Sequence, residues 1–272
     1  MSYFKYKDYN IYYDIKGEGK PILILNGIMM STLSWEPFVE TFSENNKLIR
    51  VDFIDQGKSD KVDFNYTHDI QIELVKALLD HLKLEKVNLV GISYGSEVAL
   101  GFTCKYEEYV ERLLLFNTAA YTSDWLKEIG RGWIKVGKTR DGEAYYYTTI
   151  PIIYSQKFYE ENTEWIKMRK EKLVTIFSNP EFLDAMERLT LSSESYNVVD
   201  KVSKIKVPTL IVSADDDYLT PKVNQEQLHK LIKSSYLVNI PACSHASMYD
   251  QPYIFSSLVL GFVNTKEVNY KI

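Results

Sequence analysis

Four branched aliphatic residues stand together at Ile22-Leu23-Ile24-Leu25, entered through Pro21 and left through Asn26-Gly27. A strand with one wet face alternates apolar and polar side chains. A short unbroken apolar run suits a strand buried on both faces, as in a parallel sheet. Parallel neighbours need long crossovers, usually helices, and those helices cover the sheet. The flanking sequence supplies them. A helix is expected over 34–45, opened by Ser34, and then a strand from Lys47 to Phe53. Apolar residues at Ile70, Ile72, Leu74, Val75, Leu78, Leu79 and Leu82 give residues 68–82 a helical period. Val87 to Ile92 reads as a buried strand, 94–105 as a helix, and Arg112 to Asn117 as a strand. The alternation resumes with a strand over Val207–Val212, a helix over 221–233, a strand from Tyr236 to Ile240 and a helix over 251–264. The tail from Thr265 to Ile272 is expected to fray. Residues 3–15 are tyrosine-rich and roughly alternating, with a turn at Gly17-Glu18-Gly19, and predict one or two antiparallel strands at a sheet edge. The fold class is therefore α/β, with a mostly parallel sheet flanked by helices.

Residues 121–203 interrupt this rhythm with helical segments, many aromatics and no convincing buried strand, which predicts helices inserted over the sheet's edge. A length of 272 residues allows one large core. The net charge of −5 and the scattered lysines argue against nucleic acid as a partner, because phosphate binding wants a basic face. The first ten residues hold no apolar segment of a secretory signal, and no stretch is long enough to span a bilayer, so a cytoplasmic protein without membrane partners is expected, as monomer or homodimer. Cys104 and Cys243 make neither a disulfide framework nor a metal-ligand spacing and are expected as reduced thiols, with no metal site.

Chemistry concentrates at the strand ends. The strand over 87–92 runs directly into Gly91-Ile92-Ser93-Tyr94-Gly95, a G-x-S-x-G pattern between strand and helix. Such a turn needs small residues two before and two after the serine because backbone passes close. It lifts the hydroxyl above the sheet at a helix N-terminus. Serine is a poor nucleophile without a base. Of the four histidines, His68, His81 and His229 sit at or within predicted helices and are expected as surface or capping residues. His245 lies in a loop just after the last predicted strand, on the edge where parallel strand ends converge. An imidazole base needs an acceptor behind it. The strand over 207–212 ends in Asp215-Asp216-Asp217, and any of the three completes the chain order serine, acid, histidine. Two backbone N–H groups should meet the developing oxyanion: that of Tyr94, next to the serine, and that of Ile28, in the loop Asn26-Gly27-Ile28-Met29.

These landmarks resemble the α/β-hydrolase fold family over nearly the whole chain outside 121–203. Asn26-Gly27 stands where members usually carry His-Gly. Asp52-Phe53-Ile54-Asp55-Gln56-Gly57-Lys58-Ser59 resembles the family's D-x-x-G-x-G-x-S loop, with Asp55 at a glycine position. The segment from Pro241 to Pro252 resembles P-x-x-G-H-x-x-x-x-E-x-P, with Ser244 at the glycine. Ser96 follows the elbow where many relatives carry another glycine. The family's acid loop commonly reads G-x-x-D-x-x-x-P, and counting back from Pro221 selects Asp217. The resemblance implies a core over 1–120 and 204–272, a helical cap over 121–203, and hydrolysis without a cofactor.

The reading is a serine hydrolase that cleaves a carboxylic ester of a small apolar or aromatic substrate through an acyl-enzyme, with Ser93, His245 and Asp217 as nucleophile, base and acid. Lactone, thioester and carbon–carbon bond hydrolysis use the same groups, and a non-catalytic small-molecule receptor is a further alternative on this fold. Of the cap aromatics, Trp133, Tyr147, Tyr154 and Trp165 are expected to line the substrate pocket.

Overall fold

The computed structural model describes residues 2–266. Eight strands form one sheet: β1 (Ser2–Tyr6), β2 (Tyr9–Lys16), β3 (Lys20–Leu25), β4 (Asn46–Val51), β5 (Val87–Ile92), β6 (Val110–Phe116), β7 (Thr209–Ala214) and β8 (Ser235–Ile240). Their spatial order is β1-β2-β4-β3-β5-β6-β7-β8. The tyrosine-rich β1 and β2 are antiparallel at one edge, and every pairing from β4 to β8 is parallel. The run Ile22–Leu25 lies in β3 between two parallel neighbours and is wholly buried.

Twelve helices accompany the strands among the described residues. They are α1 (Val39–Ser43), α2 (Asp69–His81), α3 (Tyr94–Tyr106), α4 (Asp124–Gly137), α5 (Gly142–Thr149), α6 (Gln156–Glu161), α7 (Thr163–Phe177), α8 (Pro180–Ser193), α9 (Val199–Val202), α10 (Lys222–Leu231), α11 (Ser247–Asp250) and α12 (Pro252–Asn264). The period of two along each strand divides the core. Leu23, Leu25, Leu89 and Leu113 face α2 and α3 on one side of the sheet, while Ile22, Ile24, Val90 and Leu114 face Phe42 of α1 and Phe255 of α12 on the other.

Between β6 and β7 the chain leaves the sheet for α4 to α9. Side-chain caps start most of these helices: Ser123 accepts from Leu126 N, Asp141 from Ala144 N, Ser155 from Phe158 N, and Asn179, followed by Pro180, from Glu181 N. Tyr121 and Asn197 form an isolated antiparallel bridge where this segment leaves and rejoins the core.

Two local expectations change. The helix foreseen over 34–45 is a 3-10 segment, Thr32–Phe38, followed by the single turn of α1. Pro37, next to its last residue, has no N–H to carry a regular helix through. Of the tail expected to fray, only Thr265 and Lys266 fall within the described residues. No helix among the described residues is long and apolar enough to cross a membrane.

Candidate active site

The turn from β5 into α3 explains both glycines of the motif. Ser93 sits at φ 52°, ψ −121°, a strained region for a residue with a side chain. A Cβ on Gly91 would come within 2.6 Å of the Ser96 backbone, and one on Gly95 within 2.4 Å of the Leu25 carbonyl oxygen. Only glycine lets helix, elbow and β3 pass so close. The strained turn is tied to β6: Ser93 N donates to Phe116 O at 2.9 Å, and Ser96 Oγ bridges the N–H and carbonyl of Phe116 at 3.1 Å each.

Loops after β7 and β8 bring the other groups to this point. His245 Nε2 lies 2.8 Å from Ser93 Oγ, and His245 Nδ1 lies 3.0 and 2.9 Å from the two carboxylate oxygens of Asp217. Asp215 and Asp216 are exposed, whereas the Asp217 carboxylate is buried. Asp217 Oδ1 accepts from the N–H groups of Leu219 and Thr220, and Oδ2 accepts from Thr220 Oγ1 at 2.8 Å and Asn117 Nδ2 at 2.9 Å. Burial alone would raise this carboxyl. The adjacent His245 and these hydrogen bonds outweigh it and hold Asp217 below its ordinary value.

Ile28 and Tyr94 both border the cavity beside Ser93. Tyr94 opens α3, so its N–H is one of the donors that a helix leaves unpaired at its start. The loop carrying Ile28 is held from behind. Gln56 Nε2 donates to the carbonyls of Gly27 and Ile28 at 2.9 and 3.2 Å. Asn26 in turn donates to Gln56 Oε1 and Val51 O and accepts from Trp35 Nε1 at 2.7 Å.

Above Ser93 lies a cavity of about 1170 Å³, its open mouth included, between the strand ends, helices α4, α7 and α8, and the segment that joins α5 to α6. Its walls are mostly apolar, with Met29, Leu126, Ile153, Leu173 and Phe177 among them. Of the cap aromatics named from the sequence, Trp133 and Tyr154 line it. Tyr147 does not. It is 57% exposed, and Lys170 Nζ lies 2.6 Å from its hydroxyl and 4.4 Å from its ring centroid. The helix α5 turns about 100° per residue, so Tyr145 and Tyr146 point inward and their neighbour cannot. Trp165 also stands back from the cavity, packed edge-on against Tyr154 and Phe158.

Several groups at the site escaped the sequence reading. Asn117, in a left-handed conformation at the end of β6, joins the acid and histidine loops through Asp217 and Ser247 Oγ. Its position at a strand end was the available signal. His68 occupies the N-cap position of α2, but its ring is buried rather than on the surface. Its Nδ1 donates to Ser192 O at 3.0 Å, its Nε2 lies 2.9 Å from Glu97, and its ring stacks on Tyr94. Asp55, at φ 71°, takes a two-pronged ion pair from Arg188 of α8 at 2.7 and 2.8 Å and a hydrogen bond from Tyr66. Ser244 N donates to Asp250 Oδ2, and its hydroxyl lies 2.7 Å from Ile153 O. The four departures from the family pattern all make hydrogen bonds: Asn26 and Ser244 tie loops near Ser93, Ser96 ties the elbow to β6, and Asp55 ties its loop to α8.

No group of His, Cys, Asp and Glu among the described residues could hold a metal ion. Cys104 and Cys243 are free thiols, and burial pushes Cys104 up to about 11.

The chain is 49% identical to MGS-M2, an α/β-hydrolase enzyme from a Medee basin deep-sea metagenome library, and superposes on its crystal structure with a TM-score of 0.98 over 100% of both chains. It is 28% identical to a proline iminopeptidase of Lactobacillus acidophilus, covering 88% of this chain and 89% of that one. It is 24% identical to the 2-hydroxy-6-oxo-6-(2'-aminophenyl)hexa-2,4-dienoic acid hydrolase of Metapseudomonas resinovorans, covering 92% and 86%. The profile of the α/β hydrolase fold matches residues 20–252, and the chain belongs to that family.

Proposed function

We propose that this protein is a serine esterase that cleaves a carboxylic ester of a small, largely apolar or aromatic substrate. The observation that carries the reading is the unbroken chain from Ser93 Oγ through His245 to the buried Asp217, with contacts of 2.8 and 2.9 Å, at the floor of an apolar cavity. Ser93 Oγ attacks the acyl carbon while His245 Nε2 takes its proton. The oxyanion is met by the N–H groups of Tyr94 and Ile28, two residues that border the cavity beside Ser93. His245 then delivers the proton to the leaving alkoxide, and the acyl group stays on Ser93. Water enters, gives a proton to His245 and attacks the ester carbon, and His245 returns that proton to Ser93 Oγ as the acid departs. Asp217 fixes the imidazole tautomer and stabilises its charged form in both halves. The helices α4 to α8 act as a cap that selects the acyl or alcohol group by shape. Lactones and thioesters meet the same groups and belong in the same panel.

The test is hydrolysis of 4-nitrophenyl acetate and butyrate by the wild type and Ser93→Ala. The expected result is a burst of nitrophenol equal to the enzyme present, and loss of turnover by at least about a thousandfold in the variant. Binding of these esters without turnover by well-folded wild type would instead favour a receptor. Turnover that survives Ser93→Ala would place the nucleophile elsewhere.

A further inference from the structure

Four acidic or basic side chains other than His245 line the cavity: Glu97, Lys127, Arg169 and Glu194. Three of them already have a titratable partner of the opposite kind within 4 Å. Glu97 meets His68 at 2.9 Å, Lys127 meets Asp124 at 3.2 Å, and Glu194 lies 3.7 Å from Arg131. Arg169 of α7 is different. It makes no ion pair with any carboxylate of the described residues. Its Nε is buried and has no hydrogen-bond partner. Its guanidinium lies between two aromatic faces, 5.0 Å from the Trp165 centroid and 4.6 Å from that of Tyr249, with the hydroxyls of Tyr154 and Tyr249 in reach.

Taking a guanidinium out of water without an anion is costly, and aromatic faces repay only part of that cost. The stacking also fixes the plane of the group, so that its N–H fork is held ready for a planar acceptor. A second buried donor, Trp133 Nε1, belongs to another lining residue and likewise has no partner. Tyr249 follows His245 by one turn of chain, and the histidine loop is tied to the insertion through Ala246 N, which donates to Ile153 O at 3.1 Å. Arg169 therefore borders the same chamber as the reacting groups, on the histidine side.

We infer that Arg169 is a specificity residue that binds a carboxylate carried by the substrate, so that the ester cleaved at Ser93 belongs to a carboxylic acid or alcohol with a second, ionised carboxyl group. A single monovalent cation without a second free one beside it suits a carboxylate better than a phosphate dianion. The apolar walls then hold the hydrocarbon between the two functional groups. The inference rests on the esterase reading of the same site and deepens it from an apolar ester to an anionic one.

Matched ester pairs test it. One pair is mono(4-nitrophenyl) glutarate and its methyl ester, with the charge on the acyl side. The other is 4-acetoxybenzoate and its methyl ester, with the charge on the leaving side. Wild type should favour the anionic member of at least one pair by about tenfold or more in kcat/KM, as charge-assisted hydrogen bonds allow. Arg169→Gln should abolish that preference through KM for the anionic ester alone, and Arg169→Lys should restore part of it. Equal kcat/KM within both pairs in the wild type would overturn the inference. So would a preference that survives Arg169→Gln, or an equal loss on charged and neutral esters, which would mark Arg169 as packing only. If neither pair is hydrolysed, the esterase reading fails and binding decides the inference separately. Tryptophan fluorescence of Ser93→Ala should then report tighter binding of monomethyl glutarate than of dimethyl glutarate, a difference lost in Ser93→Ala/Arg169→Gln. Equal binding of the two would overturn it.

Discussion

Asparagine at position 217 keeps the shape of the aspartate and removes its charge, and the surrounding hydrogen bonds dictate how it must sit. Oδ1 accepts two backbone N–H groups, from Leu219 and Thr220, at 2.9 Å each. The amide oxygen must stay there, because an NH2 group would face two donors. The amide nitrogen then takes the place of Oδ2, 2.9 Å from the Asn117 amide nitrogen and 2.9 Å from His245 Nδ1. Two NH2 groups meet head-on, and Asn117 can turn only by giving up the hydroxyl of Ser247 that it accepts at 2.7 Å. At His245 the new N–H donates to Nδ1, so the imidazole proton moves to Nε2, which faces Ser93. A protonated Nε2 cannot take the serine proton. Loss of the correct tautomer and of the charge behind it costs on the order of 10³ to 10⁴ in kcat, or about 4 to 5.5 kcal/mol of transition-state stabilisation. Asp215 is exposed and engages Asn239 at 2.7 Å instead, so Asp215→Asn should stay within about twofold of wild type. Steady-state hydrolysis of 4-nitrophenyl butyrate by the three proteins, with melting curves to show that each is folded, gives the comparison. Equal losses in the two variants, or a loss under about tenfold for Asp217→Asn, would refute the assignment.

Other consequences are open to stability measurements. Gly95→Ala would set a Cβ 2.4 Å from the Leu25 carbonyl oxygen and should cost at least about 3 kcal/mol, while Gly132→Ala in α4, with nothing within 4 Å, should gain about 0.5 to 1 kcal/mol. Urea unfolding reads both, and a neutral Gly95→Ala would contradict the close approach. Arg188→Met leaves the fully buried Asp55 carboxylate without its cation and should cost about 3 to 5 kcal/mol, much of it recovered in Asp55→Asn/Arg188→Met. A cost below about 1 kcal/mol would mean that water reaches the pair. Because Asp217 is held below its ordinary value, its stabilisation is complete above the unfolded carboxylate range near pH 4 and is lost as pH falls through the depressed folded value. Urea midpoints from about pH 5 to about pH 2 should therefore fall more steeply for wild type than for Asp217→Asn, and parallel curves would remove Asp217 from the acid limb.

Much of this arrangement is local enough to read from sequence. The apolar run Ile22–Leu25 of β3 and the glycines flanking Ser93 each express a short-range requirement, burial on both faces or close backbone approach, whereas Asp217 is singled out from its two neighbours by the resemblance to the family's acid loop. What escaped is set by groups far apart in the chain. Asp55 meets Arg188 across 133 positions, and only the unusual acid at a glycine position hinted at it. His68 is drawn inward by Glu97 and Ser192, which come from two other helices. The run Tyr145-Tyr146-Tyr147 has no hydrophobic period, so its inward and outward faces depend on how α5 lies between α4 and α7. Arg169 sits in a helix rich in lysine and glutamate, where a cation looks like solvated surface until the aromatic rings around it are placed.

The central claim is that His245 and Asp217 activate Ser93 for covalent catalysis, and intact-mass spectrometry after treatment with a fluorophosphonate tests it most directly. Wild type should gain the mass of one adduct within minutes, while Ser93→Ala should gain none and Asp217→Asn should react far more slowly. An adduct that persists in Ser93→Ala, or none on folded wild type, would contradict the account.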